Sequence, residues 1–180
     1  MDHSIRSNKM FPHHPPCALS GENMQLIFTT TIMELYFANQ AIVQAFHEVK
    51  EFIASSQVET VLRKHYEIHL RQNLRLEKIF ALQNLPAEAR VCFAVQAILT
   101  RATSYVRMFA NDVRTFEVAL IVTSRKLAHY KIASYNAAAH LALGLDHVEA
   151  ATLLAIGVQE EEEYLDRDLD SLTDQFVTPI

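Results

Sequence analysis

Three glycines, no tryptophan and two cysteines serve the whole 180-residue chain, and each shortage removes a class of function. Phosphate-cradling loops and the tight turn that presents a nucleophilic serine both need clustered glycines. Gly21, Gly144 and Gly157 stand alone. A disulfide framework or zinc knuckle needs cysteines at short paired spacings, whereas Cys17 and Cys92 lie far apart, and Cys92 falls in an apolar stretch where a free cysteine packs as a small hydrophobe. The 16 Lys and Arg are scattered and outweighed by 21 Asp and Glu, for a net charge of −5. Nucleic-acid surfaces displace counterions with clustered basic groups, so that partner is excluded.

Extended sheet also has little support. Half the residues are hydrophobic and the rest are rich in helix-favouring types with few turn formers. The leader MDHSIRSNKMFPHHPPCALSGEN has no uninterrupted apolar segment before its prolines, and no uncharged run is long enough to span a bilayer, so a soluble cytoplasmic protein is expected. His3, His13 and His14 sit among Pro12, Pro15 and Pro16, which reads as a flexible tail over residues 1–22. The remainder, residues 23–175, is long enough for one well-buried domain.

What is present is helical periodicity. Apolar residues recur at helical spacing in five blocks, about 22–55, 57–83, 86–108, 111–143 and 146–173. Ser55-Ser56 separates the first pair, Pro86 is expected to open the third helix, Gly144 to close the fourth, and Asp146 with Glu149 to form a capping box on the fifth. Four long blocks and one short one, the long ones about 40 to 50 Å each at 1.5 Å per residue, predict an all-α, ferritin-like four-helix bundle with the short helix in its crossover.

Each long helix carries a polar interruption of its core stripe near its midpoint: Asn39, then His65 and Gln72, then Lys131 in the stretch LAHYKIASY, then Glu161. Antiparallel helices of similar length bring their midpoints level, so Asn39, Gln72, Lys131 and Glu161 are expected in one central layer. A charge at mid-core costs several kcal/mol unless paired, and Lys131 and Glu161 are the expected pair.

In order along the chain, ELYFANQAIVQAF, HYEIHLRQNLRLEKIF, VCFAVQAIL, RKLAHYKIASYNAAAHLALGL and EAATLLAIGVQEEEEYLDRDLDSL resemble the YciE/YciF family of ferritin-like bacterial proteins, over about residues 26–172. The most specific piece is His129-Tyr130 followed by Ile132-Ala133-Ser134-Tyr135. The resemblance implies a layer of carboxylates at the positions of Asn39, Ile68, Gln96, Ala128 and Lys131, with an acidic pair at Glu160-Glu161, as in a di-iron or di-manganese site. This chain departs from that pattern. Asn39 and Gln96 keep the shape of an acid without its charge, Ile68 and Ala128 cannot coordinate, and Lys131 brings a positive charge. Only the acidic run from Glu160 to Glu163, with His129, survives, and His65, Glu67 and Gln72 also match family positions.

The expectation is therefore a metal-free, non-catalytic member of that family without a cofactor, stress-related by the resemblance, and a homodimer as many bundles are. Two alternatives stand beside it. One is an oxidase or peroxide-handling protein with a remodelled iron or manganese centre built on His65, Glu67, His69, His129 and Glu161, of which His65 and His69 are four apart on one helix. The other is a helical dimerisation module.

Overall fold

The computed structural model describes residues 20–177, all helix and connecting turn. Residues 1–19 of the expected flexible tail, with His3, His13, His14 and Cys17, lie outside the described residues, whereas Ser20 caps and Gly21 and Glu22 begin the first helix. Helix α1 spans Gly21–Val49 and passes through a short 3-10 turn, Lys50–Phe52, before α2, Ser56–Leu82. Helix α3 spans Phe93–Met108, α4 Val113–Gly144 and α5 Val148–Glu163. A π-helical turn, Tyr164–Leu169, carries α5 into α6, Asp170–Val177.

Starts are set by side-chain caps. Ser20 accepts from the Asn23 N–H at 3.2 Å, Ser55 from Val58 at 3.3 Å and Asp112 from Thr115 at 3.0 Å, each satisfying one of the orphan donors of a first turn. Two helix ends close in the same way. Asn84 (φ 55°) and Asp146 (φ 58°) take the left-handed conformation after α2 and α4. The following amides reach back, Leu85 to the Phe80 carbonyl at 3.0 Å and His147 to the Ala142 carbonyl at 2.8 Å, closing Schellman motifs.

Asp146 therefore ends α4 and does not cap α5, whose preceding residue His147 makes no side-chain cap. Gly144 is the last residue of α4 and is not left-handed. Pro86 does not open α3 either: residues 85–92 have no regular secondary structure, are anchored by the Arg90 amide on the Met33 carbonyl at 3.1 Å, and the helix starts at Phe93. Cys92 precedes α3, buried, with Sγ 2.9 Å from Tyr130 Oη.

The long helices form a bundle in which each neighbour runs antiparallel. At one end Phe28, Leu76, Phe80, Ala142, Ala150 and Leu154 pack together, joining the start of α1 and α5 to the end of α2 and α4. At the other end Phe46, Val58, Leu62, Phe116, Leu120, Leu165 and Leu169 do the converse. Because α2 finishes at the first end and α4 begins at the second, the connection must travel the bundle's length. Helix α3 makes that journey, laying Cys92 and Val95 against Ala38, Ile42 and Leu127. Glu117 on α4 locks the turn between α1 and α2, its carboxylate accepting the amides of Ala54 (2.9 Å) and Ser55 (2.6 Å).

By length and composition alone, Gly21–Phe52 is apolar enough to cross a membrane, unlike the reading from charged residues. In the fold its apolar side chains Phe28, Ile32, Leu35 and Ala38 are buried against the other helices.

Gly157 on α5 marks a close approach to α4. A Cβ there would lie 2.8 Å from Cδ1 of Tyr135, an aromatic ring that is itself buried and cannot swing aside. Gly157→Ala is expected to lower unfolding free energy by about 1–3 kcal/mol, the cost of overpacking, although alanine is the better helix former. An unchanged or raised denaturation midpoint would refute the packing argument.

Candidate functional site at the bundle centre

Between the two apolar ends lies a polar layer closed to solvent. Asn39 on α1, His69 and Gln72 on α2, Lys131 on α4 and Glu161 on α5 have 1% exposure or less, and His65 has 3%. The helical spacing of each stripe turns these residues inward. The π-helical turn after Glu161 then brings the Tyr164 ring, buried, to stack 4.0 Å from His65.

Lys131 Nζ is the hub. It donates to the carboxamide oxygens of Asn39 and Gln72, lies 3.0 Å from His69 Nδ1 and stands 3.2 Å from Glu161 Oε1. It also lies 5.0 Å above the Tyr135 ring, within cation–π range. Glu161 is satisfied on both oxygens: Oε1 accepts from Gln72 Nε2 at 3.1 Å and Oε2 is 2.8 Å from His65 Nε2. The network continues through His65 Nδ1 to Ser124 Oγ (3.0 Å) and on to Tyr164 Oη (2.8 Å). Asn39 Nδ2 donates to Tyr135 Oη at 3.1 Å.

Burial acts against every charge here. It draws the Lys131 ammonium down to about 8 from its ordinary 10.5, with Glu161 opposing the shift. Burial alone would raise the Glu161 carboxyl, but Lys131, His65 and His69 outweigh it and hold the carboxyl below its usual range. His69 is held well below 6.5, first by burial and then by Lys131 and His65. It is a neutral acceptor at Nδ1 for the ammonium, which leaves Nε2 carrying the proton. Nε2 is buried without a hydrogen-bond partner among the described residues.

Other residues singled out in the sequence lie outside this layer. Gln96 is exposed on α3, beside Phe37 and Gln44, and Glu67 and His129 are also exposed. Ile68 and Ala128 are buried in the apolar cluster next to the layer. The acidic run divides by helical phase. Glu161 points in, while Glu160 turns to the rim and accepts a two-pronged contact from Arg75 (2.6 and 2.8 Å) with Arg71 at 3.2 Å. Sequence reasoning missed Ser124 as a polar member of the layer, and Tyr135 and Tyr164 as its hydrogen-bonding walls. The place of Ser124 and Tyr135 on the apolar stripe of α4 was the available signal, whereas Tyr164 is brought in by the π-helical turn.

A family model described as "Domain of unknown function (DUF892)" matches residues 23–178. The chain belongs to this family. Protein YciF of Escherichia coli strain K12 is 26% identical over 146 residues, covering 80% of this chain and 87% of that one. The crystal structure of the Escherichia coli stress protein YciF superposes with a TM-score of 0.78 at 24% identity, over 86% of this chain and 96% of that one. YcfI of Rhodopseudomonas palustris gives the same TM-score at 20% identity, over 86% and 98%. The fold of this DUF892 member is thus the helical fold of YciF.

Breaking a buried pair from one side strands the other charge. Lys131→Met is expected to cost about 3 kcal/mol or more, and Lys131→Met with Glu161→Gln much less, since glutamine still accepts from His65. Equal unfolding midpoints for the two variants would show that the pair contributes nothing.

Three groups of the layer act on the pH dependence with one sign. Lys131, His69 and Glu161 all hold protons less readily folded than unfolded, so the unfolded chain binds more protons and stability rises with pH. From Lys131 the rise falls between pH 8 and 10.5. Denaturation of the parent chain against Lys131→Met/Glu161→Gln should show this difference, and parallel pH curves would contradict it.

Proposed function

We propose that this protein is a metal-free, non-catalytic ferritin-like bundle of the YciF type, in which a buried ammonium fills the volume that a di-metal centre takes in related bundles. The observation that carries the reading is Lys131 Nζ, which is shut from solvent and ringed by Asn39, His69, Gln72 and Glu161. A dinuclear iron or manganese site needs several carboxylates to offset charge and bridge the metals. Glu161 is the one carboxylate in this layer among the described residues. The residues present do not fit the dinuclear group. Each unit of positive charge placed about 4 Å from the ammonium would cost about 4 kcal/mol at an effective dielectric near 20. Similarity to the Escherichia coli stress protein YciF supports a role under stress.

A second reading has its own observation. His65, His69 and Glu161 offer ligand atoms within 4.8 Å of one another, and His69 Nε2 has no partner. That set supports a remodelled metal centre of oxidase or peroxide-handling type, provided Lys131 gives up its proton and its place. Incubation of the full chain with ferrous or manganous ions, followed by elemental analysis, separates the two. The metal-free reading expects no stoichiometric ion, and a gain of binding on Lys131→Glu. Two ions per parent chain would overturn it.

A further inference from the structure

The layer places a primary amine against a carboxamide in a dry interior, with proton acceptors already on the amine. Lys131 Nζ donates to Asn39 Oδ1, so the carboxamide carbon lies one bond beyond the atom it touches. Glu161 Oε1 and His69 Nδ1 lie 3.2 and 3.0 Å from the same Nζ. Asn39 Nδ2, the nitrogen that would depart, makes a single hydrogen bond, to Tyr135 Oη. We propose that Lys131 and Asn39 condense into an isopeptide bond that ties α1 to α4 inside the folded chain.

The step balances without oxidant or cofactor. The ammonium passes one proton to Glu161, and the neutral amine attacks Cγ of Asn39 after the carboxamide turns its face about Cβ–Cγ. The Nζ–Cγ bond forms and the Cγ–Nδ2 bond breaks. A second Nζ proton leaves with Nδ2 as ammonia, and the third stays on the new amide. Two features of the site favour this course. Holding both groups in one dry pocket replaces a bimolecular encounter with an intramolecular one and keeps water from competing. Closure exchanges a buried ion pair, whose desolvation is costly, for a neutral amide and a neutral carboxyl.

Gln72 also presents its carboxamide oxygen to Nζ, yet its nitrogen donates to Glu161 at 3.1 Å and to the Gly157 carbonyl at 3.4 Å. Releasing that nitrogen would forfeit both bonds. Asn39 has only the tyrosine to lose.

The proposal goes beyond the metal-free reading and has a separate readout, because covalent mass and metal content are independent measurements. Full-length protein aged in its folded state near pH 8, then denatured and digested with trypsin, should have lost about 17 Da, one ammonia. It should also yield a branched peptide joining the segment around Asn39 to the one around Lys131, uncut after Lys131. Lys131→Arg keeps the charge and lacks the nucleophile, so it should retain full mass, and Glu161→Gln should lower the linked fraction at matched ageing. As linkage proceeds, the rise in stability between pH 8 and 10.5 should fade with the ion pair. Full mass in the aged parent chain would overturn the proposal. So would ammonia loss confined to a linear peptide, or a branch at Gln72 instead of Asn39.

Discussion

Everything at the centre of this molecule depends on one constraint: an ammonium group sits where no water can reach it. Lys131 is fully buried, and an isolated charge there would be intolerable. Three helices contribute to its relief. Asn39 from α1, Gln72 and His69 from α2 and Glu161 from α5 surround Nζ, and each has to be at the right height along its own helix. A shift of one helix by a single turn would strand both the lysine and the carboxylate. The layer therefore favours one register among the many that smooth apolar stripes would allow, at a cost in stability relative to a purely apolar core.

The rest of the architecture serves that register. Schellman turns at Asn84 and Asp146 fix where α2 and α4 stop, and Glu117 ties the turn between α1 and α2 to α4. Gly157 lets α5 approach the Tyr135 ring closely enough for Glu161, one turn further on, to reach Lys131. The π-helical turn that follows re-aims α5, so that Tyr164 covers His65 from the other side. Apart from His69 Nε2 the network's polar atoms are engaged with one another, and His69 and Glu161 are held in the protonation states that suit the ammonium.

The inward-facing polar residues could be read from sequence because helical phase is local: Lys131 stands on the stripe of Leu127 and Tyr135, and Glu161 on that of Leu154 and Leu165. Helix termini were less legible. Asp146 followed by Glu149 looks like a capping box, yet aspartate also tolerates the left-handed conformation, and the need to end α4 took precedence. Pro86 suits a first helical turn, but the non-helical run to Cys92 is held by the Arg90 amide bonding across to Met33, a contact no local pattern announces.

The sequence by itself determined that the chain is helical, that four long helices would pair, and which side chains face inward, because propensity and periodicity act within a few residues. The family resemblance implied acids at the positions of Asn39, Ile68, Ala128 and Lys131. Only the tertiary structure decided which inward residues meet. Gln96, matched to the same family layer, lies exposed on α3, while Ser124, Tyr135 and Tyr164 join the network. Hydrogen-bond partners 59 to 96 residues apart are chosen by how helices stack and slide against one another, and that depends on the packing of the whole bundle.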